Sequence, residues 1–417
     1  MFRDYQMIVK MIARLRRPLV ALLLLQIVAI GRANAEPTPG SALPPLAEVV
    51  RLAEERAPQV ALSVARLHQG DASQAAAAMG RWLNPAFELR AGAAGSRPEA
   101  QLDLWLPVEA GDQVPSRRVE ARAVRTWLEA RHTAALADVR GWAVRLWGRA
   151  VVAAARVRLL SEIRANSDLE AQALVKRALV RDVREQDALL ARMEVVRFAG
   201  QLASAKAEFA RAVSELSLAL TEVPSYSDHG VAPATALPLP DAASLDHLPQ
   251  VATLMREAEV HRAAELRTAA EAQPPWQGLL GAGRDADGSL RLNAGVGWSA
   301  PVTRTSQPER ARAKAERLRA EAEAAAVLRQ NRVLWLALAS EDQSLADADR
   351  DLLSQGRAAG LAALAAATAT WQAGKGDWTA VLWARRNLAE LELRHLELAE
   401  RRWSIRGEWV ALAGERW

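Results

Sequence analysis

The six histidines, His68, His132, His229, His247, His261 and His395, are scattered, with no pair four residues apart on a helix face. They offer no converging ligand set for zinc or copper. Cysteine is absent, which excludes disulfides, thiolate metal sites and an acylated lipoprotein cysteine. There is no Gly-x-Ser-x-Gly elbow, no phosphate-binding Gly-rich loop and no HExxH pair. Asp and Glu are abundant, but on helix faces such residues serve as solvated partners of arginine one turn away. No catalytic, cofactor or metal site is therefore expected. What remains is the chemistry of contact. Ala373-Gly374-Lys375-Gly376-Asp377 reads as a charged turn, with Gly374 at a helix C-cap and Asp377 at an N-cap.

A second kind of contact is apolar. In Gln101–Val108, the residues Leu102, Leu104, Leu106 and Val108 fall on one face. Likewise Leu290, Leu292, Ala294, Val296 and Trp298 alternate with Arg291, Asn293, Gly295, Gly297 and Ser299. This period-two pattern predicts strands with one apolar and one wet face, and their length suits a tilted membrane crossing of ~9–11 residues. Phe87-Leu89-Ala91-Ala93 is a fair partner strand, and Trp276–Gly283 a poor one. Gly95-Ser-Arg-Pro98 and Asp285-Ala-Asp-Gly288 would be the hairpin turns. Trp105 and Trp298 suit an interfacial girdle. Four strands cannot close a transmembrane barrel, which needs about eight, so a membrane role forces an oligomer.

The elements that carry these segments are legible in the prolines. Of 19 in the chain, none falls between Ser116 and Val223 or between Glu309 and Trp417. A proline inside a helix costs about 3 kcal/mol, so the two blocks predict very long helices. Each is expected to fold back once, at the glycine turn in the second block and near Leu179-Val180-Arg181-Asp182 in the first. Helices of ~50 residues would be about 75 Å long, well beyond one globular core. On the last helix, Leu388, Leu391 and Leu398 share one face, while Leu393, Leu396 and Trp403 share another. Two apolar flanks suit a helix with neighbours on both sides. Trp127, Trp142, Trp147, Trp335, Trp371 and Trp403 read as packing residues.

The plan occurs twice. Pro58-Gln59-Val60-Ala61 returns as Pro249-Gln250-Val251-Ala252, and Pro107-Val108 as Pro301-Val302. Asp187-Ala-Leu-Leu-Ala191-Arg192 aligns with Ala380-Val-Leu-Trp-Ala384-Arg385. Three matches in one order at nearly constant offset indicate duplication. The expected first repeat, 36–223, has a helix over 46–82, strands near 86–93 and 100–108, and long helices near 116–178 and 183–221. A proline-rich linker follows over 224–248. The second repeat, 249–417, has a helix over 249–272, strands near 276–283 and 289–299, and long helices near 309–372 and 377–413.

The N-terminus reads as a secretory signal peptide over 1–35. Arg14, Arg16 and Arg17 precede an apolar Pro18–Ile30, and Ala33-Asn34-Ala35 fits the cleavage rule. Without that leader the chain holds 48 basic and 48 acidic residues. Nucleic acid is accordingly not an expected partner.

The leader, the duplicated helix–hairpin–long-helix halves, and the Asp-x-Leu-x-Ala-Arg and Ala-Gly-x-x-x-(x)-x-Val-Leu turns resemble the TolC-like outer-membrane efflux factors, over about residues 44–414. The resemblance implies a mainly α fold with a small β portion. Three chains would share a 12-stranded outer-membrane β-barrel, continued by a periplasmic α-helical barrel. Implied partners are a homotrimer, outer-membrane lipid, a periplasmic adaptor (membrane fusion protein) and an inner-membrane pump of RND or ABC type. Carried onto this chain, the adaptor-contact tips would be Leu179, Val180, Arg181 and Asp182 with Gly374, Lys375, Gly376 and Asp377. Family members often place acidic residues just after each turn, where the closed tunnel narrows. Asp187 keeps such a position, whereas Ala380 and Trp383 depart from it, and Trp383 reads first as a packing residue and second as a steric constriction. Leu102, Leu104, Leu106, Leu290, Leu292 and Val296 would face lipid. The implied role is a passive, non-enzymatic exit duct; a soluble periplasmic coiled-coil adaptor or scaffold is the alternative.

Overall fold

The computed structural model of the chain describes residues 43–79, 86–94, 97–109, 111–220, 248–272, 276–284, 289–298 and 306–414. The expected signal peptide, nearly all of the linker, Gly95-Ser96 and Asp285–Gly288 lie outside them.

The first repeat contains α1 (Leu46–Arg56), α2 (Pro58–Ala78), β1 (Ala86–Ala94), β2 (Arg97–Val108), α3 (Gln113–Leu179) and α4 (Glu185–Leu220). The second contains α5 (Pro249–Glu271), β3 (Trp276–Arg284), β4 (Leu290–Trp298), α6 (Gln307–Asp351), α7 (Arg357–Gln372) and α8 (Trp378–Ala413). Between α6 and α7, Leu352–Gly356 form one turn of π-helix, so the expected helix 309–372 is interrupted rather than uniform. By contrast α3 runs 67 residues without a break.

The helix expected over 46–82 is two helices. Ala57 sits at φ −62°, ψ 130°, because the ring of Pro58 disfavours helical geometry in the residue before it. Leu248 before Pro249 has the same form, φ −57°, ψ 132°. Both prolines then occupy a first-turn position, where a missing N–H is harmless. The recurring Pro-Gln-Val-Ala thus marks a helix start in each repeat.

Of the described residues, 149–220 and 362–396 belong to one compact unit, which holds both helical turns. The described residues within 46–148, 248–361 and 397–414 form another, which holds the strands. The strands make one antiparallel sheet in the order β1-β2-β3-β4. Trp276–Arg284, expected to be a poor strand, pairs along its whole length with both neighbours. Four glycines and alanines between Gln277 and Arg284 (Gly278, Gly281, Ala282 and Gly283) make the run weak as an isolated strand, but the flanking ladders supply the hydrogen bonds its side chains do not encourage.

In this second unit a tryptophan-rich core gathers Leu248, Val251, Trp335, Leu338, Ile405, Trp409, Val410 and Leu412. Trp335 and Trp409 meet edge-on at 5.6 Å, and Trp147 and Trp403 at 5.0 Å. The packing role expected for Trp147, Trp335 and Trp403 matches these contacts. On α8, Leu396, Leu398 and Trp403 are buried, and Leu388, Leu391 and Leu393 half-buried, so both apolar flanks are covered. Glycines let α3 and α8 approach closely. A Cβ at Gly141 would lie 2.3 Å from the Gly407 carbonyl, one at Gly407 2.6 Å from the Gly141 carbonyl, and one at Gly148 2.4 Å from the Trp403 Cβ. Gly200, by comparison, has nothing within 4 Å.

These sites predict opposite signs. Gly141→Ala forces two backbones apart and should destabilise by about 1–3 kcal/mol. Gly200→Ala adds helix propensity in open space and should stabilise by up to about 1 kcal/mol. Thermal melting of the two purified variants checks the contrast.

Candidate functional site

Two turns and one sheet face carry the residues singled out by sequence. Both turns close their preceding helix with the same pair of backbone bonds. In the first, Arg181 N–H donates to the Ala178 carbonyl (3.0 Å) and Asp182 N–H to the Arg177 carbonyl (2.9 Å). In the second, Gly374 N–H donates to Trp371 (2.9 Å) and Lys375 N–H to Thr370 (3.1 Å). This is the Schellman closure, which requires a left-handed residue just past the helix. Gly374 fills that place at φ +69°, at no steric cost. Arg181 fills it at φ +60°, and a side chain there costs about 1–2 kcal/mol. The first turn therefore needs no glycine to have the same geometry, which is why composition alone left it indistinct.

The next helices also start alike. Asp187 N–H donates to the Arg184 carbonyl and Ala380 N–H to the Asp377 carbonyl, each at 3.1 Å. Asp377 accepts from the Thr379 hydroxyl (2.8 Å) and from backbone N–H groups of the first turn, as an N-cap does. These bonds, that of the Thr379 hydroxyl first, hold its carboxyl below the usual Asp range.

Leu179, Val180, Arg181, Asp182, Gly374, Lys375, Gly376 and Asp377 are all exposed. Together the turns line a groove of about 980 Å³, which includes Leu179, Arg181, Asp182, Asp187, Gly374, Gly376 and Asp377. Behind it Trp371 and Trp378 pack at 4.8 Å, and the Arg177 guanidinium lies 5.0 Å from the Trp371 ring centroid. Arg177 Nε also donates to Asp182 Oδ2 at 2.5 Å. This cation–aromatic–acid cluster ties one turn to the other.

Asp187 is only 6% exposed. Burial, and then the nearby charge of Asp377, push its carboxyl above the usual range; Arg184 opposes them. Sequence reasoning weighed Asp187 against Ala380 and Trp383, its counterparts by alignment. The structure instead sets it against Asp377, the counterpart of Arg184. The signal was present in the alignment, since acid and base swap at that cap position. Ala380 and Trp383 do not line the groove. Trp383 is 66% exposed, so the expected packing between helices is not met within one chain.

Higher on the same unit, adjacent arginines of α8 reach two helices. Arg385 pairs with Glu170 on α3, Nη2 to Oε1 2.5 Å, and Arg386 with Glu194 on α4, Nε to Oε2 2.9 Å. Glu194 is 2% exposed, so losing its partner would leave a buried charge.

The sheet register aligns the apolar residues into one face. Phe87, Leu104, Leu280 and Ala294 lie in one row across the strands, and Leu89, Leu102, Ala282 and Leu292 in the next. Leu106, Gly278 and Val296 make a third row, and Arg284 pairs with Leu290 beyond them. Leu102, Leu290, Leu292 and Val296 are exposed, and Leu104 and Leu106 half-buried. The opposite face carries Glu88, Arg90, Gln101, Asp103, Trp105 and Asn293. Gln101 Nε2 donates to Asp103 Oδ1 at 2.8 Å. Gly281 leaves room for that carboxylate, since a Cβ there would lie 2.4 Å from Oδ1. Trp105 is thus on the polar face, which does not fit the girdle role expected for it; Trp276, half exposed, is on the apolar face instead. Trp298's side chain lies outside the described residues. Among the described residues no group of three or more His, Asp or Glu could hold a metal, and no helix is long and apolar enough to cross a membrane.

Gly374→Ala should destabilise the second turn by about 1–2 kcal/mol, and Arg181→Gly should stabilise the first by a similar amount; hydrogen exchange at each turn reads both. Asp187 binds its proton more tightly in the folded state. Its contribution to stability therefore falls as pH rises from the ordinary Asp value through its raised one. Asp187→Asn should exceed wild type in stability at neutral pH and lose that advantage below the ordinary Asp range, as pH-dependent melting would show.

No family model matches the chain, and no curated protein matches it. Solved structures do. The Campylobacter jejuni CmeC outer membrane channel superimposes at a TM-score of 0.73 with 16% identity, over 88% of this chain and 85% of that one. For the open state of the Neisseria gonorrhoeae MtrE outer membrane channel the values are 0.72, 14%, and 90% of each chain. For the outer membrane protein VceC of Vibrio cholerae they are 0.72, 14%, 88% and 96%. The chain has the TolC-like fold of outer-membrane efflux channels.

Proposed function

We propose that this protein is the outer-membrane channel component of a tripartite efflux or type I secretion system, a passive exit duct in a Gram-negative bacterium. The sheet carries this reading. It has four strands, both outer strands end in unpaired edges among the described residues, and one face is a continuous apolar surface. Open edges do not persist in hydrocarbon, where each unsatisfied backbone group costs several kcal/mol. Three copies joined edge to edge would give 12 strands, enough to close, with the polar face of Glu88, Arg90, Asp103 and Asn293 towards the lumen. Leu102, Leu104, Leu106, Leu290, Leu292 and Val296 would then meet lipid.

The two turns are the proposed contact with a periplasmic adaptor (membrane fusion protein), which links the duct to an inner-membrane pump of RND or ABC type. Leu179, Val180, Arg181, Asp182, Gly374, Lys375, Gly376 and Asp377 present both apolar and charged surface there. Asp187, Ala380 and Trp383 are the proposed narrowing. The duct performs no catalysis; the pump supplies the energy.

Leu104→Arg puts a charge at the middle of the apolar face and should cost about 2–4 kcal/mol of membrane stability. The measurement is the yield of heat-resistant trimer in outer-membrane fractions. Wild-type protein that stays monomeric and soluble without detergent would overturn the duct.

A further inference from the structure

The apolar face of the sheet is notched. Gly278 on β3 lies between Leu106 on β2 and Val296 on β4, with Val108, Leu280 and Ala294 around it. A shallow groove of about 580 Å³ results. Nothing in the backbone requires the missing side chain. A Cβ at Gly278 would meet only Leu106 atoms, at 3.5 and 3.6 Å, which is ordinary contact. The groove is open space that a leucine could fill, on a face whose neighbouring positions carry Leu106, Leu280, Ala294 and Val296.

We propose that this groove seats one acyl chain of a phospholipid, in the leaflet on the side where the strands join the helices; the proposal rests on the duct reading, in which this face meets lipid. Three observations choose that occupant. The side chains around Gly278 on this face are Leu106, Val108, Leu280, Ala294 and Val296, none of which carries a hydrogen-bonding group. The backbone of β3 is engaged in ladders on both sides, so a peptide strand cannot add there. An unbranched hydrocarbon chain needs only apolar surface. Finally, Trp276 stands two residues from Gly278 on the same face, half exposed, at the helix-side end of the groove. An indole at that position suits the boundary where the acyl chain meets its polar headgroup. The opposite leaflet, at the hairpin end of the sheet, is out of reach.

The test uses the full-length protein purified from membranes in mild detergent. Retained phospholipid is counted by phosphorus assay and by lipid adducts in native mass spectrometry. Wild type should keep about one phospholipid per chain, whereas Gly278→Leu and Ala294→Leu should each lower retention at least fivefold. Gly297→Leu, on the polar face of β4, should retain the wild-type amount. Wild-type protein with no retained phospholipid, or groove-filled variants that keep it, would overturn the proposal. Should either variant fail to assemble, the other variant and the wild-type count decide alone. Flotation of wild type with phospholipid vesicles separates the two readings. Flotation without lipid retention sinks only the groove, and failure to float sinks the duct as well.

Discussion

Backbone hydrogen bonding sets the terms for this protein. Among the described residues, β1 and β4 are the outer strands of a four-stranded sheet, each with one edge that no further strand covers. In water such edges invite pairing with any extended chain. In hydrocarbon they are excluded, since no solvent can satisfy them. One face of this sheet is also apolar apart from Arg284 at its hairpin end, and no described helix packs its side chains there as a core. Edge and face point the same way, towards the proposed assembly in which copies of this sheet join beside one another in lipid.

The helices solve a different problem, which is to stay long without a globular core. Their stability comes from close lateral packing, and small residues set the spacing. Gly141 and Gly407 face one another across α3 and α8, and Gly148 lies against Cβ and Cγ of Trp403. Tryptophans fill the space that glycines open, pairing edge-on where the ring quadrupoles favour it. Arginine–carboxylate ties such as Arg402 to Asp342, both buried, fix the register between neighbouring helices in one unit, and Arg386 to Glu194 does so in the other.

Much of this was legible in the residues. Long proline-free runs pointed to the helices, and alternation pointed to the strands. What escaped was either local geometry or proximity. The break at Ala57 was a proline effect hidden inside a helical composition. The π turn at Leu352–Gly356 has no composition of its own. The first turn lacked glycine because Arg181 tolerates a left-handed backbone there. Asp187 and Asp377 are 190 residues apart in sequence, and only the folded hairpins bring their charges together. Trp105 was assigned by residue type, when its parity with Asp103 already placed it on the wet side.

The π turn leaves the two repeats unequally tolerant of shortening. A turn closed by bonds five residues apart holds one residue more than the α turns on either side of it. Losing one residue between Leu352 and Gly356 would restore ordinary geometry and leave the flanking side chains aimed as before. Losing one residue inside α3, where no such slack exists, would swing everything beyond it by about 100°. Length changes in this protein can thus be absorbed on one side of its internal symmetry and not on the other.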